Sequence, residues 1–243
     1  MLRKLGLGLA FSFGLVNSTR TRLMSTRLDG TIAPTDLFST WADNNRDTVM
    51  ADGHRKPVAE MMDTVSSMLK LDDKSILELG CGNGWVLRDE FSKYNIKSYF
   101  GVDGAKSMIE KAKTQNIYED KDKFQYQMQD LTKLDVNNQS FDFIFSMEVM
   151  YYLQEDEVKA LLSQISNNLL KDDGIFIFGI DHYYENTDCH GWSELNNTPM
   201  LLWKEDKWRK EVTDAGLVVQ KQFRAAKREG ISEGTLVIIA SKN

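Results

Sequence analysis

Sulfur, imidazole and proline are all scarce in this chain of 243 residues. Cys81 and Cys189 are its two cysteines, His54, His182 and His190 its three histidines, and it has 3 prolines. Two cysteines cannot build a disulfide framework or a four-thiolate zinc site. The histidines lack the i, i+4 spacing of a helical metal pair, so no metal centre is expected. So few prolines argue against a Pro-rich linker between two large domains. No apolar run reaches the roughly 20 residues that a membrane-spanning helix needs. Leu5 to Val16 is mostly apolar but only twelve residues long and broken by glycines.

Positive charge is also in deficit: 30 Lys+Arg stand against 36 Asp+Glu, a formal net charge of -6. Residues 1–28 hold five basic residues (Arg3, Lys4, Arg20, Arg22, Arg27) and no acid, so the remainder has 25 basic and 36 acidic residues, a net of -11. An acidic body repels phosphate backbones, which disfavours nucleic acid as a partner. The first 28 residues, Arg-rich, Ser/Thr-rich and acid-free, read as a targeting segment for a mitochondrion or plastid. A secretory signal is the rival, from Arg3-Lys4 and the apolar stretch that follows. A start at Met24 would leave a cytoplasmic form.

From residue 29 onward the pattern is that of one domain. Helical pieces are expected at Asp36 to Trp41 and Pro57 to Leu71, the second carrying Val58, Met61, Met62, Val65 and Met68 on one face. Strands and helices then alternate. Ile76 to Leu79, Tyr99 to Val102, Phe124 to Met128, Phe141 to Phe145 and Ile175 to Ile180 read as strands. Trp85 to Lys93, Ala105 to Thr114 and Glu155 to Leu170 read as the helices between them. Lys204 to Ala215 is a further helix, and Val218 to Phe223 with Thr235 to Ala240 form a terminal hairpin. Such alternation predicts an α/β fold, a mostly parallel sheet with helices on both faces.

The turn after the first strand reads Glu78-Leu79-Gly80-Cys81-Gly82-Asn83-Gly84. In an open parallel sheet the ligand crevice lies outside the carboxyl ends of the strands, where glycines let backbone approach a ligand closely. The G-x-G-x-G spacing lacks the third glycine of a dinucleotide fingerprint, whose place Trp85 takes, and no Lys-Ser/Thr pair makes it a P-loop. Asp103 ends the second strand 19 residues after Gly84, a distance that suits an acceptor for ribose hydroxyls. It is equally placed to cap the following helix, and the ribose is preferred. Asp130, after the third strand, suits an exocyclic amine with Leu131 against the ring, or an Asx-turn.

Together, residues 76–84, Val102-Asp103, Gln129-Asp130 and Phe141 to Ile144 with Ser146 to Leu153 resemble the class I S-adenosylmethionine-dependent methyltransferases. The resemblance covers roughly residues 70–180. It implies a Rossmann-like sheet of seven strands, mostly parallel, the last one antiparallel in the terminal hairpin. It implies S-adenosyl-L-methionine as cofactor and a small-molecule methyl acceptor. Glu78 and Gly80 would then approach the methionine portion, Asp103 the ribose, Asp130 the adenine amine, and Ser146-Met147 the sulfonium edge. Cys81, Gly82, Gly104 and Leu131 complete the cofactor set. In similar methyltransferases an N-terminal helix folds over the cofactor as a lid. About residues 35–70 would serve here, in a stretch that also holds Met50 and His54, with Trp41 and Arg46 as contacts for cofactor or acceptor; Arg46 would pair with the cofactor carboxylate or merely cap and solvate a helix.

Methyl transfer is an in-line displacement in which the protein supplies orientation and a dry site, and a base only where the acceptor carries a proton. Candidates follow the fourth and fifth strands: Glu148, Tyr151 and Tyr152, then Asp181, His182, Tyr183, Tyr184, His190, Trp192 and Glu194. His182 is the best single candidate for the base, since imidazole titrates near neutrality, with a histidine merely hydrogen-bonded at a strand end as the equal alternative; Tyr152 is the second catalytic candidate. Tyr151, His190 and Trp192 are expected around the acceptor, with 181–203 as an acceptor-side loop or a solvent-exposed excursion. The tyrosines could form a cage for a cationic acceptor. O- or N-methylation of a small molecule is the leading expectation. The alternatives are a quinone-pathway methyltransferase and a non-catalytic adenosine-ligand binding protein on the same fold.

Overall fold

The computed structural model describes residues 30–242. The expected targeting segment, residues 1–28, lies outside them. Seven strands form one sheet in the order β3-β2-β1-β4-β5-β7-β6. They are β1 (Ser75–Leu79), β2 (Ser98–Asp103), β3 (Phe124–Met128), β4 (Phe141–Met147), β5 (Leu170–Ile180), β6 (Val218–Ala225) and β7 (Thr235–Ser241). β1 to β5 pair in parallel. β7 runs antiparallel between β5 and β6.

Alternation along each strand builds two cores. Phe176 and Phe178 of β5 and Leu236, Ile238 and Ala240 of β7 face one side, where Val158, Leu161 and Leu162 of α5 (Glu155–Gln164) and Trp208 and Val212 of α7 (Glu205–Asp214) cover them. Ile175, Ile177, Val237 and Ile239 face the other, under Val58, Met61, Met62 and Val65 of α2 (Asp47–Ser66), Val86 and Leu87 of α3 (Trp85–Asp89), and Ile109 and Ala112 of α4 (Lys106–Thr114). A period of two in the strands and 3.6 in the helices thus meets in two dry layers. A further cluster, Leu37, Trp41 and Ala42 of α1 (Pro34–Asp43) against Ala105 and Met108, seats α1 on α4.

Several boundaries differ from the sequence expectation. α2 starts at Asp47, so Pro57 lies inside the helix rather than at its start. Gly53 is exposed, which lets water serve the carbonyl that Pro57 cannot bond. The helix expected over Trp85 to Lys93 stops at Asp89, and a separate 3-10 turn follows at Phe91–Lys93. The helix expected to reach Leu170 ends as a π turn at Ile165–Leu169, and β5 begins at once at Leu170. The stretch 181–203 is not devoid of structure: it holds a 3-10 turn at Thr187–Cys189 and a short helix, α6 (Trp192–Asn196). Beyond α6, the Asn197 carbonyl accepts from Ile32 N–H at 2.8 Å, joining this stretch to the chain ahead of α1.

Candidate active site

The sheet order reverses direction between β1 and β4, and the crevice of an open α/β sheet opens at that point. A cavity of about 280 Å³ lies there. Its floor is the turn after β1, and its walls come from the ends of β2, β3 and β4. Thr35 and Phe38 of α1 and Asp47, Met50 and His54 of α2 line it from the opposite side.

The glycine turn follows from its backbone. Gly80, Gly82 and Gly84 all have positive φ, +74°, +51° and +74°, which only glycine adopts without strain. A Cβ at Gly80 would strike Val149, and one at Gly84 would strike Tyr126, whereas one at Gly82 would meet nothing within 4 Å. Gly82 therefore borders open space, and Gly80 and Gly84 border packed side chains. Cys81 lines the cavity and is buried; burial pushes its thiol pKa well up, so it stays a neutral wall. Trp85 lines the cavity as well, with the Arg55 guanidinium 5.6 Å over its ring.

Asp103 at the end of β2 serves the turn and the helix start together. One carboxylate oxygen accepts from Gly82 N–H at 2.9 Å and the other from Ala105 N–H at 2.7 Å. Each oxygen keeps a second lone pair, so a vicinal diol can still be received. Burial raises the Asp103 pKa, partly offset by those two N–H groups. Gly104 beside it packs on Thr35. Glu78 is buried, and Tyr99 donates its hydroxyl to it at 2.6 Å. Burial pushes the Glu78 pKa up to about 8. A buried acid facing a cavity suits a ligand ammonium group, such as that of an amino acid. Asp130 makes the Asx-turn: one oxygen accepts from Thr132 N–H and Oγ1, both at 2.9 Å. Asp130 and the buried Leu131 both line the cavity.

Other expected site residues sit elsewhere. Met147 lines the cavity, but Ser146 does not: fully buried, it donates its hydroxyl to the Leu79 carbonyl at 3.1 Å. Trp41 belongs to the α1–α4 packing, edge-on to Trp192 at 5.7 Å, and Arg46 lies 4.5 Å over the Trp41 ring; neither lines the cavity. Tyr152 does line it, with Trp192 Nε1 donating to its hydroxyl at 3.1 Å and Phe38 edge-on at 5.3 Å. Tyr151 is buried behind Tyr152, ring centroids 4.6 Å apart.

His182 takes the hydrogen-bonded reading rather than that of the base. It is buried, absent from the cavity wall, and its Nδ1 is held by the Cys189 carbonyl at 3.0 Å. His190 is spent on the backbone carbonyls of Tyr183 and Tyr184, at 3.3 and 3.0 Å. The imidazole that reaches the cavity is that of His54. Burial lowers its pKa, so it stays neutral near pH 7. Glu148 also lines the cavity and has φ +57°, an uncommon backbone for a residue with a Cβ. Its Oε2 accepts from Asp181 N–H at 2.7 Å. Sequence reasoning missed Asp47 and Asn83 altogether. The Asn83 amide donates to Asp47 at 2.7 Å, and Asp47 pairs with Lys111 at 2.6 Å. An Asp heading a helix and an Asn between two glycines were the signals present.

Comparison with known proteins agrees with this geometry. A methyltransferase-domain family model matches residues 76–174. Nodulation protein S of Azorhizobium caulinodans is 34% identical over 128 residues, which are 52% of this chain and 57% of that protein. The chain therefore spans little more than half the length of that relative. A chain of the complex between the Haloferax volcanii Trm112 methyltransferase activator and the putative methyltransferase superposes with a TM-score of 0.73 at 24% identity, over 84% of this chain and 96% of that one. Magnesium protoporphyrin IX methyltransferase of Synechocystis PCC 6803, solved with S-adenosylhomocysteine bound, superposes with a TM-score of 0.60 at 18% identity, over 79% of this chain and 84% of its own. The matched segment carries the glycine turn, Asp103, Asp130 and the end of β4, so residues 76–174 carry a methyltransferase domain, set within the seven-stranded sheet.

Proposed function

We propose that the chain methylates a small molecule at oxygen or nitrogen, with the α1–α2 segment closing over the cofactor as a lid. The carrying observation is the cavity itself. One end gathers Glu78, Gly82, Asp103, Asp130 and Leu131, and the other gathers Met147, Glu148, Tyr152, Phe38 and His54. Glu78 would hold the cofactor's amino group, Asp103 its ribose and Asp130 its adenine amine. When bound, the cofactor supplies an electrophilic methyl group, and the second end of the cavity orients the acceptor toward it.

That second end carries ionisable groups in a confined space. This supports a compact polar acceptor over a long apolar quinone. The acidic body and the cavity lined from both sides weigh against a nucleic-acid substrate. Among the described residues no helix is long and apolar enough to cross a membrane.

Calorimetric titration with S-adenosylhomocysteine, followed by transfer of labelled methyl groups into a metabolite extract, tests this reading. Binding and a labelled small product are expected. Absence of binding by folded protein overturns it, and binding without any labelled product favours a non-catalytic adenosine-ligand protein.

A further inference from the structure

The acceptor end of the cavity has a chemistry of its own. His54 from α2 and Glu148 just beyond β4 line it, and Asp181 just beyond β5 stands behind them, the imidazole and carboxylate atoms of the three all within 4.8 Å of one another. Glu148 is held from three directions: its N–H donates to the Gly179 carbonyl at 2.8 Å, its Oε2 accepts from Asp181 N–H, and Thr235 Oγ1 lies 3.4 Å from Oε1. Tyr151 adds a hydrogen bond to it. Burial and the neighbouring Asp181 charge hold the Glu148 carboxyl well above the usual carboxylate range. A buried acid, Glu148, beside the half-buried Asp181 favours a cation near the pair. His54 bonds the Met50 backbone carbonyl through one ring nitrogen, which leaves the other as a free acceptor. The Tyr152 ring lines the same space, a π-face that also favours a cation.

We propose that this end of the cavity receives an amine acceptor, with Asp181 and Glu148 holding its ammonium group and His54 taking the proton that must leave before nitrogen can attack. The inference rests on the methyl-transfer reading above. An ammonium nitrogen has no lone pair. His54 removes one proton, and Asp181 steadies the resulting imidazolium. The freed nitrogen lone pair forms the N–C bond to the methyl carbon as the C–S bond breaks, its electron pair staying on sulfur. The positive charge passes from sulfur to the methylated nitrogen, and His54 returns its proton to solvent. A phenolate or carboxylate acceptor would instead be repelled by the acid pair.

The test uses two cofactor analogues and no acceptor. S-adenosylhomocysteine carries nothing at the methyl position. Sinefungin carries an ammonium group there, on carbon, pointing the way the methyl would go. Both are titrated calorimetrically, with chelator present, into the full chain and into Asp181→Asn, Glu148→Gln and His54→Gln. The wild type should prefer sinefungin by about tenfold or more, and the Asp181 and Glu148 variants should lose most of that preference while S-adenosylhomocysteine affinity holds within about threefold. The preference should shrink as pH falls and His54 gains charge beside Asp181 and Glu148, and His54→Gln should blunt that loss. Where Glu148→Gln fails to fold, Asp181→Asn decides. No preference in the wild type, or the same preference in the variants with S-adenosylhomocysteine still bound, overturns the inference. Failure of folded wild type to bind S-adenosylhomocysteine overturns the cofactor reading, and the inference with it.

Discussion

Asp47 and Asn83, 36 residues apart in sequence, meet at 2.7 Å where the first turn of α2 touches the glycine turn. The Asn83 side chain also accepts from Trp85 N–H at 3.1 Å, so one amide ties α2 to the turn and to the start of α3. Burial would raise the Asp47 pKa, but the Lys111 and Asn83 bonds outweigh it and bring it below the usual value. Both Asp47 and Asn83 are buried. Asp47→Ala strands the Asn83 amide, and leaving a buried donor unpaired costs about 1–3 kcal/mol. A lower melting temperature is expected, with faster hydrogen exchange across residues 47–66. Unchanged exchange there would show that α2 is held by its apolar face alone.

The glycines of the turn should separate by phenotype. Gly82→Val puts a side chain into the cavity and little else, at a backbone cost of about 1–2 kcal/mol for left-handed φ. Folded protein without S-adenosylhomocysteine binding is expected. Gly80→Ala drives a Cβ into Val149 and should lower the melting temperature first. Calorimetry and thermal melts on both variants check the contrast.

Asp103 accepts from two backbone N–H groups, so its loss should affect both folding and binding. Asp103→Ala is expected to cost about 1–3 kcal/mol of stability and a comparable amount of cofactor affinity. Asp103→Asn, which can replace only one of the two acceptors, should fall between. A full loss of affinity at unchanged melting temperature would mean that the two backbone contacts contribute nothing.

Glu78 makes the apo protein pH-sensitive. Its pKa is raised from 4.5 to about 8, so the folded state favours its proton. The stabilisation is complete below about pH 4.5 and is lost as pH rises toward about 8. Relative to Glu78→Gln, the apo wild type should therefore melt progressively lower across that window. S-adenosylhomocysteine, which brings an ammonium group, should reverse part of the loss and bind more tightly to the wild type as pH rises. A wild-type melting curve parallel to that of Glu78→Gln from pH 5 to 8 would remove Glu78 from this role.

His182 should behave as a structural residue. Its Nδ1 contact with the Cys189 carbonyl holds the chain that leads into α6. His182→Ala is expected to lower stability by roughly 1–3 kcal/mol and to leave S-adenosylhomocysteine affinity unchanged. A pH-dependent turnover, once an acceptor is in hand, should survive in this variant and not in His54→Gln.

Legibility follows the range of the interactions involved. Strand and helix periods, the glycine turn and the acids at the tips of β2 and β3 are local patterns, and each lies where the sequence placed it. The Ser146 hydroxyl bonds the Leu79 carbonyl of β1, a cross-strand pairing invisible in one strand. Trp41 and Arg46 were not decidable locally, because an aromatic near a basic residue gives no sign of whether it faces ligand or core. The tertiary packing of α1 on α4 made that choice.

By itself the sequence determined the α/β class and the place of the glycine-turn crevice, because short-range backbone demands write those features into runs of a few residues. Left-handed glycines, alternating apolar residues and an acid at a strand tip are such demands. Only the tertiary structure decided which imidazole faces the cavity. His54 and Asp181 are separated by 127 residues, and no local rule brings them together. They meet because the N-terminal part of α2 borders the cavity while Met61, Met62 and Val65 hold the rest of the helix on the sheet face and Asp47 holds its start on Asn83. His182, one residue from Asp181, is instead held by the Cys189 carbonyl.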